Sequence, residues 1–167
     1  MVRLALAALL LTAASPSPSK SGDPSAVDTS RVWLQALRDG KVDRLLSVTR
    51  LPFAYYEAWP NKQCAQVAKD EKAFGKWYKC IRGEEDLLIA ELMVEKEDPD
   101  HIHLTPGLGE TGDLRKLVKV VTGKETWVSG FINGDGVTYS FLFALAGNEA
   151  KGLRVVALVM DTSFDGG

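Results

Sequence analysis

Residues 137–146 read VTYSFLFALA, and this stretch decides the fold class. Successive side chains of a β-strand point to opposite faces, so the aromatic and aliphatic residues at odd positions share one face. Residues 133–136, which read NGDG, come directly before it, and Asn and Gly tolerate the positive φ angles of tight hairpins. The pattern predicts the middle strand of an antiparallel meander.

Two further strands are predicted on either side of this one, at 126–132 and 153–161, with the second reversal at 147–152. Strict alternation in the last strand would give two mostly apolar sets on opposite faces: Leu153, Val155, Ala157 and Val159 on one, and Arg154, Val156, Leu158 and Met160 on the other. A sheet with an aromatic face requires helices packed across it. We therefore predict a C-terminal β-meander covered by helices.

The N-terminal half supplies these helices. A first helix, capped by Asp28, Thr29 or Ser30 and ended by Gly40, has apolar residues at spacings of three and four: Val32, Trp33, Ala36 and Leu37. A second pattern follows in Val42, Leu45, Leu46 and Thr49. It is predicted to end at Leu51-Pro52, because the residue before a proline is pushed out of the helical region. A strand is predicted at 53–59.

Two more helices are predicted in the middle of the chain. Asp70 is a candidate N-cap, Gly83 a terminator, and the apolar residues between them have helical spacing: Phe74, Trp77, Tyr78 and Ile81. Another apolar helix is predicted from Glu84 to about Lys96. Residues 114–121 fit a short helix, although their β-branched members could also make a strand.

The first 14 residues have the layout of a secretory signal peptide, with Arg3, an apolar run at 4–11 and small residues before Ser15. The run is shorter than the about 20 residues that span a bilayer. Cleavage after Ala14 would leave 167 − 14 = 153 residues. Residues 15–25, rich in Ser and Pro, indicate a flexible linker before a single domain at 26–167. We expect a secreted or periplasmic protein without stable membrane insertion.

Charge and cysteine content restrict the partners and the redox state. The net charge is −2, from 20 basic and 22 acidic residues mixed along the chain. Without a basic stripe, nucleic acid is not an expected partner. Cys64 and Cys80 are the two cysteines, and pairing is the default in an oxidising compartment. A catalytic thiol is the weaker interpretation, because neither cysteine stands beside a histidine.

The order of elements resembles that of the nuclear-transport-factor-2-like (NTF2-like) superfamily. The resemblance rests on the segment 34–46 (LQALRDGKVDRLL), on the exit through Leu51-Pro52-Phe53 into a strand, and on the long C-terminal meander. It implies an α+β fold in which N-terminal helices pack on a curved antiparallel sheet to form a cone with a pocket at its open end. The superfamily hosts isomerases, dehydratases, binding modules and association domains, so the fold does not select an activity.

Pocket candidates follow from the predicted strands. Five aromatic residues would line the inside of such a cone: Tyr55, Tyr56, Trp127, Tyr139 and Phe141. Core packing is the simpler interpretation, because aromatic residues on sheet faces mostly belong to the core. Asp43 and Asp161 are the carboxylates to inspect as a general base, with Tyr55 as a hydrogen-bond donor, but a charge in a first helical turn and a solvated strand end explain them too.

Two other patterns give weaker hypotheses. His101 and His103 could both reach one metal ion from an extended segment, but a third ligand is lacking and surface histidines are the simpler interpretation. Gly107, Gly109 and Gly112 have a GxGxxG spacing without the strand and helix of a dinucleotide-binding unit. We interpret this segment as a loop and expect no cofactor.

We therefore expect a non-catalytic domain that binds an apolar small molecule or a protein partner. One alternative is a cofactor-independent acid–base enzyme of the isomerase or dehydratase type. Another is a homodimer formed through the outer face of the sheet, where the last predicted strand would place Arg154, Val156, Leu158 and Met160.

Overall fold

The computed structural model describes residues 24–57, 64, 67–84, 88–93, 102–108, 124–133, 137–148 and 152–164. Its helices are α1 (Pro24–Arg38), α2 (Val42–Ser47), α3 (Glu71–Gly83) and α4 (Leu88–Met93). Its strands are β1 (Thr49–Glu57), β2 (Val67–Ala68), β3 (Ile102–Pro106), β4 (Thr126–Asn133), β5 (Val137–Asn148) and β6 (Gly152–Phe164). The predicted α+β class is confirmed.

The six strands form one sheet in the order β2-β1-β6-β5-β4-β3. The predicted antiparallel meander is confirmed, since β5 pairs antiparallel with both β4 and β6. The sheet is mixed, however, because β1 pairs parallel with β6. The prediction of a wholly antiparallel sheet was wrong on this point: the partner of β1 lies about a hundred residues along the chain, and no local pattern reports its direction.

Helix α1 begins at Pro24, before the predicted caps. Thr29 and Ser30 lie inside the helix, where their hydroxyls donate to the carbonyl oxygens of Ser25 and Ala26, both at 2.9 Å. The predicted N-cap at 28–30 was therefore wrong. Hydroxyl side chains that return a hydrogen bond to residue i−4 can be buried within a helix, which is what Ser30 does.

The transition from helix to strand comes earlier than predicted. Helix α2 ends at Ser47 and β1 starts at Thr49, so Pro52 lies inside the strand, after a cis peptide bond. The pairing of β1 with β6 shifts register between Thr49 and Ala54, around this proline. Proline lacks an N–H and tolerates such irregular pairing. The predicted strand is confirmed over Phe53–Glu57; residues 58 and 59 lie outside the described ranges.

Helix α3 agrees with its sequence pattern. The Asp70 carboxylate accepts a hydrogen bond from the Ala73 N–H at 2.7 Å, and the helix ends at Gly83, as predicted. The predicted disulfide Cys64–Cys80 is present and joins α3 to the segment before β2, with 5.5 Å between the Cα atoms. Helix α4 covers Leu88–Met93 of the predicted fourth helix, whereas residues 114–121 lie outside the described part of the chain.

The sheet buries both of its faces. The inner face, covered by the helices, carries an aromatic cluster that includes Trp33, Phe53, Phe74, Trp77, Phe141 and Phe143. The outer face carries a second cluster of smaller buried side chains, namely Ala54, Leu142, Ala144, Val156, Ala157 and Val159. Among the described helices, all buried apolar side chains belong to the inner cluster.

A bulge in β6 changes the predicted faces of that strand. Ala144 pairs with Ala157, whereas Leu145 pairs with Val155, so Val156 is an extra residue between two ladder positions. Val155 faces inward, Val156 and Ala157 face outward, and alternation then resumes. Leu158 and Met160 therefore lie in the inner core, and the surface predicted for a homodimer is not one surface.

Candidate functional site

The five aromatic pocket candidates divide between the two faces of the sheet. Tyr55, Tyr139 and Phe141 belong to the inner cluster, whereas Tyr56 and Trp127 pack against the outer cluster. Phe141 is fully buried and lies over Gly130 of β4. The structure thus brings two tyrosines to the inner face and removes Tyr56 and Trp127 from it.

A tyrosine and a carboxyl group meet at the end of β1. Tyr55 and Glu57 are two residues apart, so both point to the inner face. The Tyr55 hydroxyl donates to Oε1 of Glu57, and the Ile89 N–H of α4 donates to the same oxygen at 3.1 Å. Glu57 therefore joins strand β1 to the first turn of α4.

Burial changes the acid–base properties of this pair. Desolvation raises the pKa of the Glu57 carboxyl group, and the hydrogen bonds from Tyr55 and from the backbone of Ile89 offset this only in part. Burial raises the pKa of the Tyr55 hydroxyl further, and the nearby Glu57 charge acts in the same direction. The phenol is thus a proton donor in the hydrogen bond, and the carboxyl group is easier to protonate than an exposed glutamic acid.

Tyr139 and Trp77 bring further polar atoms to the inner face. Burial raises the pKa of the Tyr139 hydroxyl, and the charge of the Glu91 carboxylate on α4 acts in the same direction. The Trp77 ring packs against Tyr55 with a centroid distance of 5.7 Å. Its Nε1 is buried and has no hydrogen-bond partner within the described ranges. The inner face therefore combines aromatic surface with phenol, carboxyl and indole groups.

The two carboxylates selected from the sequence lie elsewhere. Asp43 is exposed in the first turn of α2. Asp161 is half-buried on the outer face and pairs in register with Ser140 of β5. Neither lies beside Tyr55, whose carboxyl partner is Glu57. Glu57 was missed although its position alternates with Phe53 and Tyr55, a pattern that would have placed it on the core-facing side of the strand.

The described residues supply no third ligand for the metal site suggested by His101 and His103. His103 is exposed on the edge strand β3 and stacks on its cross-strand neighbour Phe131, with ring centroids 4.7 Å apart. His101 lies outside the described residues. Within the ranges that the structure covers, no three His, Cys, Asp or Glu side chains are grouped to hold a metal ion.

The glycine-rich segment begins as a continuation of the sheet. The Gly107 N–H donates to the carbonyl oxygen of Trp127 at 2.8 Å, and its φ of 98° lies in the region that favours glycine. Gly109 and Gly112 lie outside the described residues. The part that is described follows strand β3 of a sheet edge, not the buried parallel strand of a dinucleotide-binding unit.

No protein-family model and no curated protein sequence matches the chain. Three similar solved structures are a cystatin-like fold protein from Burkholderia xenovorans LB400, a ketosteroid isomerase-like protein from Erwinia carotovora atroseptica SCRI1043 and an NTF-2 like protein of unknown function from Silicibacter pomeroyi DSS-3. Their TM-scores are 0.46, 0.44 and 0.42, with 13%, 8% and 11% sequence identity.

The alignments cover 85%, 81% and 83% of this chain and 92%, 92% and 93% of those chains. One of the three descriptions, that of the Silicibacter pomeroyi protein, names the superfamily that the sequence resembles. At such identities the likeness concerns the fold and carries no information about activity or ligand.

Two features bear on the compartment. Disulfides such as Cys64–Cys80 are typical of oxidising compartments outside the cytoplasm. Across the ranges that the structure describes, none of the helices has both the length and the apolar character needed to traverse a bilayer.

Proposed function

We propose that this protein is an exported binding domain, secreted or periplasmic, that takes a small molecule at the Glu57 end of its inner face. One observation carries the proposal: a carboxyl group lies at the margin of an aromatic surface, with a raised pKa and a hydrogen bond from a buried tyrosine. Such a combination of apolar wall and few polar groups is typical of ligand sites.

The chemistry of the margin selects the ligand class. Glu57 accepts a hydrogen bond from Tyr55, and the charge of Glu91 helps to raise the pKa of Tyr139. Carboxylates accept hydrogen bonds and attract positive charge, and phenol rings contact apolar groups and cations on their faces. The ligand is therefore a small molecule with an apolar body and a donor or cationic group, such as an amine.

Native mass spectrometry of the protein purified from its own secretory compartment tests this proposal. We expect an added mass that is lost under denaturing, non-reducing conditions. The added mass should fall in Glu57→Gln and persist in Asp43→Asn, a matched amide substitution at an exposed position on α2. A bare chain in the wild-type sample, or equal retention in both variants, would contradict the proposal.

The same sample tests export. Cleavage of residues 1–14 predicts a chain that starts at Ser15, with 153 residues remaining from 167 − 14. Its intact mass should be two hydrogens lighter than that of the reduced chain, because Cys64 and Cys80 are paired. An intact N-terminus at Met1 in all compartments would contradict export through a cleaved signal.

An acid–base enzyme is the second candidate, and the raised pKa of Glu57 favours it. A general base works best when its pKa is near the working pH, and a phenol beside it can stabilise a developing oxyanion. Incubation with carbonyl compounds in D2O would then give deuterium at the carbon next to the carbonyl group. This exchange should disappear in Glu57→Gln; exchange equal to the buffer rate in the wild type would exclude this activity for the compounds tried.

A further inference from the structure

Helix α4 is held against the rest of the fold by two charged side chains, one at each end. At its N-terminal end, the Ile89 N–H donates to the Glu57 carboxyl group of β1 at 3.1 Å, and the neighbouring Leu88 N–H acts on the same group. At its C-terminal end, Nε of Arg38 on α1 donates to the Leu92 carbonyl oxygen at 3.0 Å. A negative group at the N-terminus and a positive group at the C-terminus match the polarity of a helix. Both contacts thus stabilise α4 in its docked position.

The other helices have further connections to the fold. A disulfide joins Cys80 of α3 to Cys64, and Arg82 of α3 donates to the carbonyl oxygens of Leu37 and Arg38 at 2.6 and 3.3 Å, which ties α3 to the end of α1. Helix α2 continues into β1 after one residue. Helix α4, by contrast, has six residues, and a helix of this length is not stable in water by itself. Its position therefore depends on its contacts with other elements.

The apolar contacts of α4 lie on one side of the helix. Ile89 and Leu92 are fully buried in the inner cluster, and residues three apart in a helix are neighbours on its surface. Tyr55, whose hydroxyl donates to Glu57, is buried beside them in the same cluster. Helix α4 thus closes the inner face next to Tyr55 and Glu57, and a movement that lifts its N-terminal end would open this place.

The two end contacts differ in their response to ionisation. Desolvation raises the pKa of the Glu57 carboxyl group, and the hydrogen bonds from Tyr55, Ile89 and Leu88 lower it only in part. The ionised carboxylate therefore gains hydration when α4 moves away, while its hydrogen bond from Tyr55 lies within β1 and does not involve α4. The Arg38 guanidinium stays charged at all working pH values, so its contact does not titrate.

The groups around Glu57 leave its own titration as the one beside the N-terminal end of α4, among the described residues. The Tyr55 phenol stays protonated, because burial and the Glu57 charge raise its pKa far above the ordinary value. Glu91 on α4 acts on a tyrosine of β5 instead. The β6 residue in register with Glu57 is Met160, and the α3 ring beside Tyr55 is that of Trp77; both are uncharged.

We propose that α4 is a lid on the inner face, and that it opens at its Glu57 end while Arg38 keeps its C-terminal end on α1. Opening withdraws Ile89 from the core and brings Tyr55 and Glu57 into contact with water. The proposal concerns the motion of α4 and does not require a bound ligand. For a small molecule at the Glu57 end, as proposed above, the lid would control access.

Native-state hydrogen exchange of the mature chain tests the motion. The Ile89 and Leu92 amides should exchange through a local opening that exposes little surface, so low concentrations of urea should change their exchange only weakly. The Trp77 and Ile81 amides of α3 should require global unfolding and show its full urea dependence. We expect α4 to open about tenfold more often than α3, or more. Equal urea dependence of the two helices would overturn the proposal.

A matched pair of variants tests which end opens. After correction for intrinsic exchange rates, the opening constant of α4 in the wild type should rise between about pH 4 and pH 8, because ionisation favours the hydrated carboxylate. Glu57→Gln should lose this rise, whereas Arg38→Gln, an amide substitution at the other end, should keep it. A wild type without the rise, or a Glu57→Gln variant that retains it, would overturn the assignment of the opening end.

Removal of the N-terminal contact gives a readout that does not depend on pH. Glu57→Ala should raise the opening constant of α4 by about fivefold, which is the usual effect of losing a group that caps a helix. Protection of the α3 amides by the same mechanism as in the wild type shows that the variant is folded. An opening constant of α4 equal to that of the wild type would overturn the role of Glu57 as the contact that holds the lid.

Discussion

The two faces of the sheet are built from different side chains. On the inner face, Phe53 lies 4.8 Å from Trp77 and 5.5 Å from Phe74 between ring centroids, and Trp33 stacks on it at 6.0 Å. The buried side chains of the outer cluster are alanines, valines and one leucine. Large rings fill the space between the sheet and the helices on the inner face, whereas the buried side chains of the outer cluster are small. The two faces of the sheet thus bury side chains of different size. Truncating a side chain on the inner face should therefore lower the free energy of unfolding more than truncating one on the outer face.

Truncation on each face provides the largest expected contrast. Phe53→Ala removes a ring that contacts three other aromatic rings, and it should lower the free energy of unfolding by about 3–5 kcal/mol. Val159→Ala, at an equally buried outer position, should cost about 1–2 kcal/mol, because it deletes less volume. Urea unfolding of both variants measures this difference. Equal losses of unfolding free energy would contradict the predicted contrast between the two faces.

The disulfide should stabilise the folded protein as a whole. One of its cysteines, Cys64, is buried in the inner cluster. Replacing both cysteines, Cys64→Ser with Cys80→Ser, should lower the free energy of unfolding by roughly 3 kcal/mol, since the unfolded chain regains the freedom of a loop of 16 residues. Thermal unfolding with and without a reductant is the measurement. A double variant that still responds to the reductant, or a wild type that does not, would contradict this assignment.

Gly130 lies where the packing of the inner face leaves no space for a side chain. A Cβ there would overlap the Phe141 ring and lie 2.9 Å from the carbonyl oxygen of His103. Gly130→Ala should therefore cost about 1–3 kcal/mol. Gly75→Ala on α3 is the matched control: its Cβ would meet no atom within 4 Å, and the substitution should stabilise the helix by roughly 0.5–1 kcal/mol. Denaturant midpoints of the two variants should move in opposite directions.

The smallest predicted effect is a pH dependence that arises at Glu57. Burial raises the pKa of this carboxyl group in the folded state. Its stabilising contribution is complete below the ordinary glutamic acid pKa of about 4.3 and is lost as the pH rises through the folded value. Glu57→Gln has no such titration, so its stability relative to the wild type should increase between about pH 4 and pH 8.

Because Glu57 is half-exposed, we expect the change to stay below about 1 kcal/mol. Unfolding midpoints at the two pH values measure it, with Glu71→Gln at an exposed position of α3 as the control. A Glu57→Gln variant that loses stability relative to the wild type as the pH rises would show that the carboxylate is stabilising in its ionised form.

Local patterns predicted those parts of the fold that depend on neighbouring residues. The Asp70 cap, the end of α3 at Gly83 and the alternation of Tyr139, Phe141 and Phe143 each require only a few adjacent residues. The pairing of Cys64 with Cys80 was predicted from their number and from the oxidising compartment that the sequence leads us to expect. Glu57 could also have been found, because its place after Phe53 and Tyr55 assigns it to the inner face.

Other features depend on partners far along the chain. The bulge at Val156 is defined by the pairing of β6 with β5, and it sends Leu158 and Met160 inward against strict alternation. Alternation separates Tyr55 from Tyr56, but which of them faces the helices, and that Trp127 and Tyr139 lie on opposite faces, required the tertiary structure.

The α+β class, the meander and the disulfide could be predicted from the sequence, because they depend on composition and on local geometry. Tertiary structure alone decided the parallel pairing of β1 with β6 and the meeting of Tyr55, Glu57 and Ile89 at one point. The physical reason is that register and burial are set by contacts between distant segments, and the pKa of a carboxyl group depends on its surroundings in space.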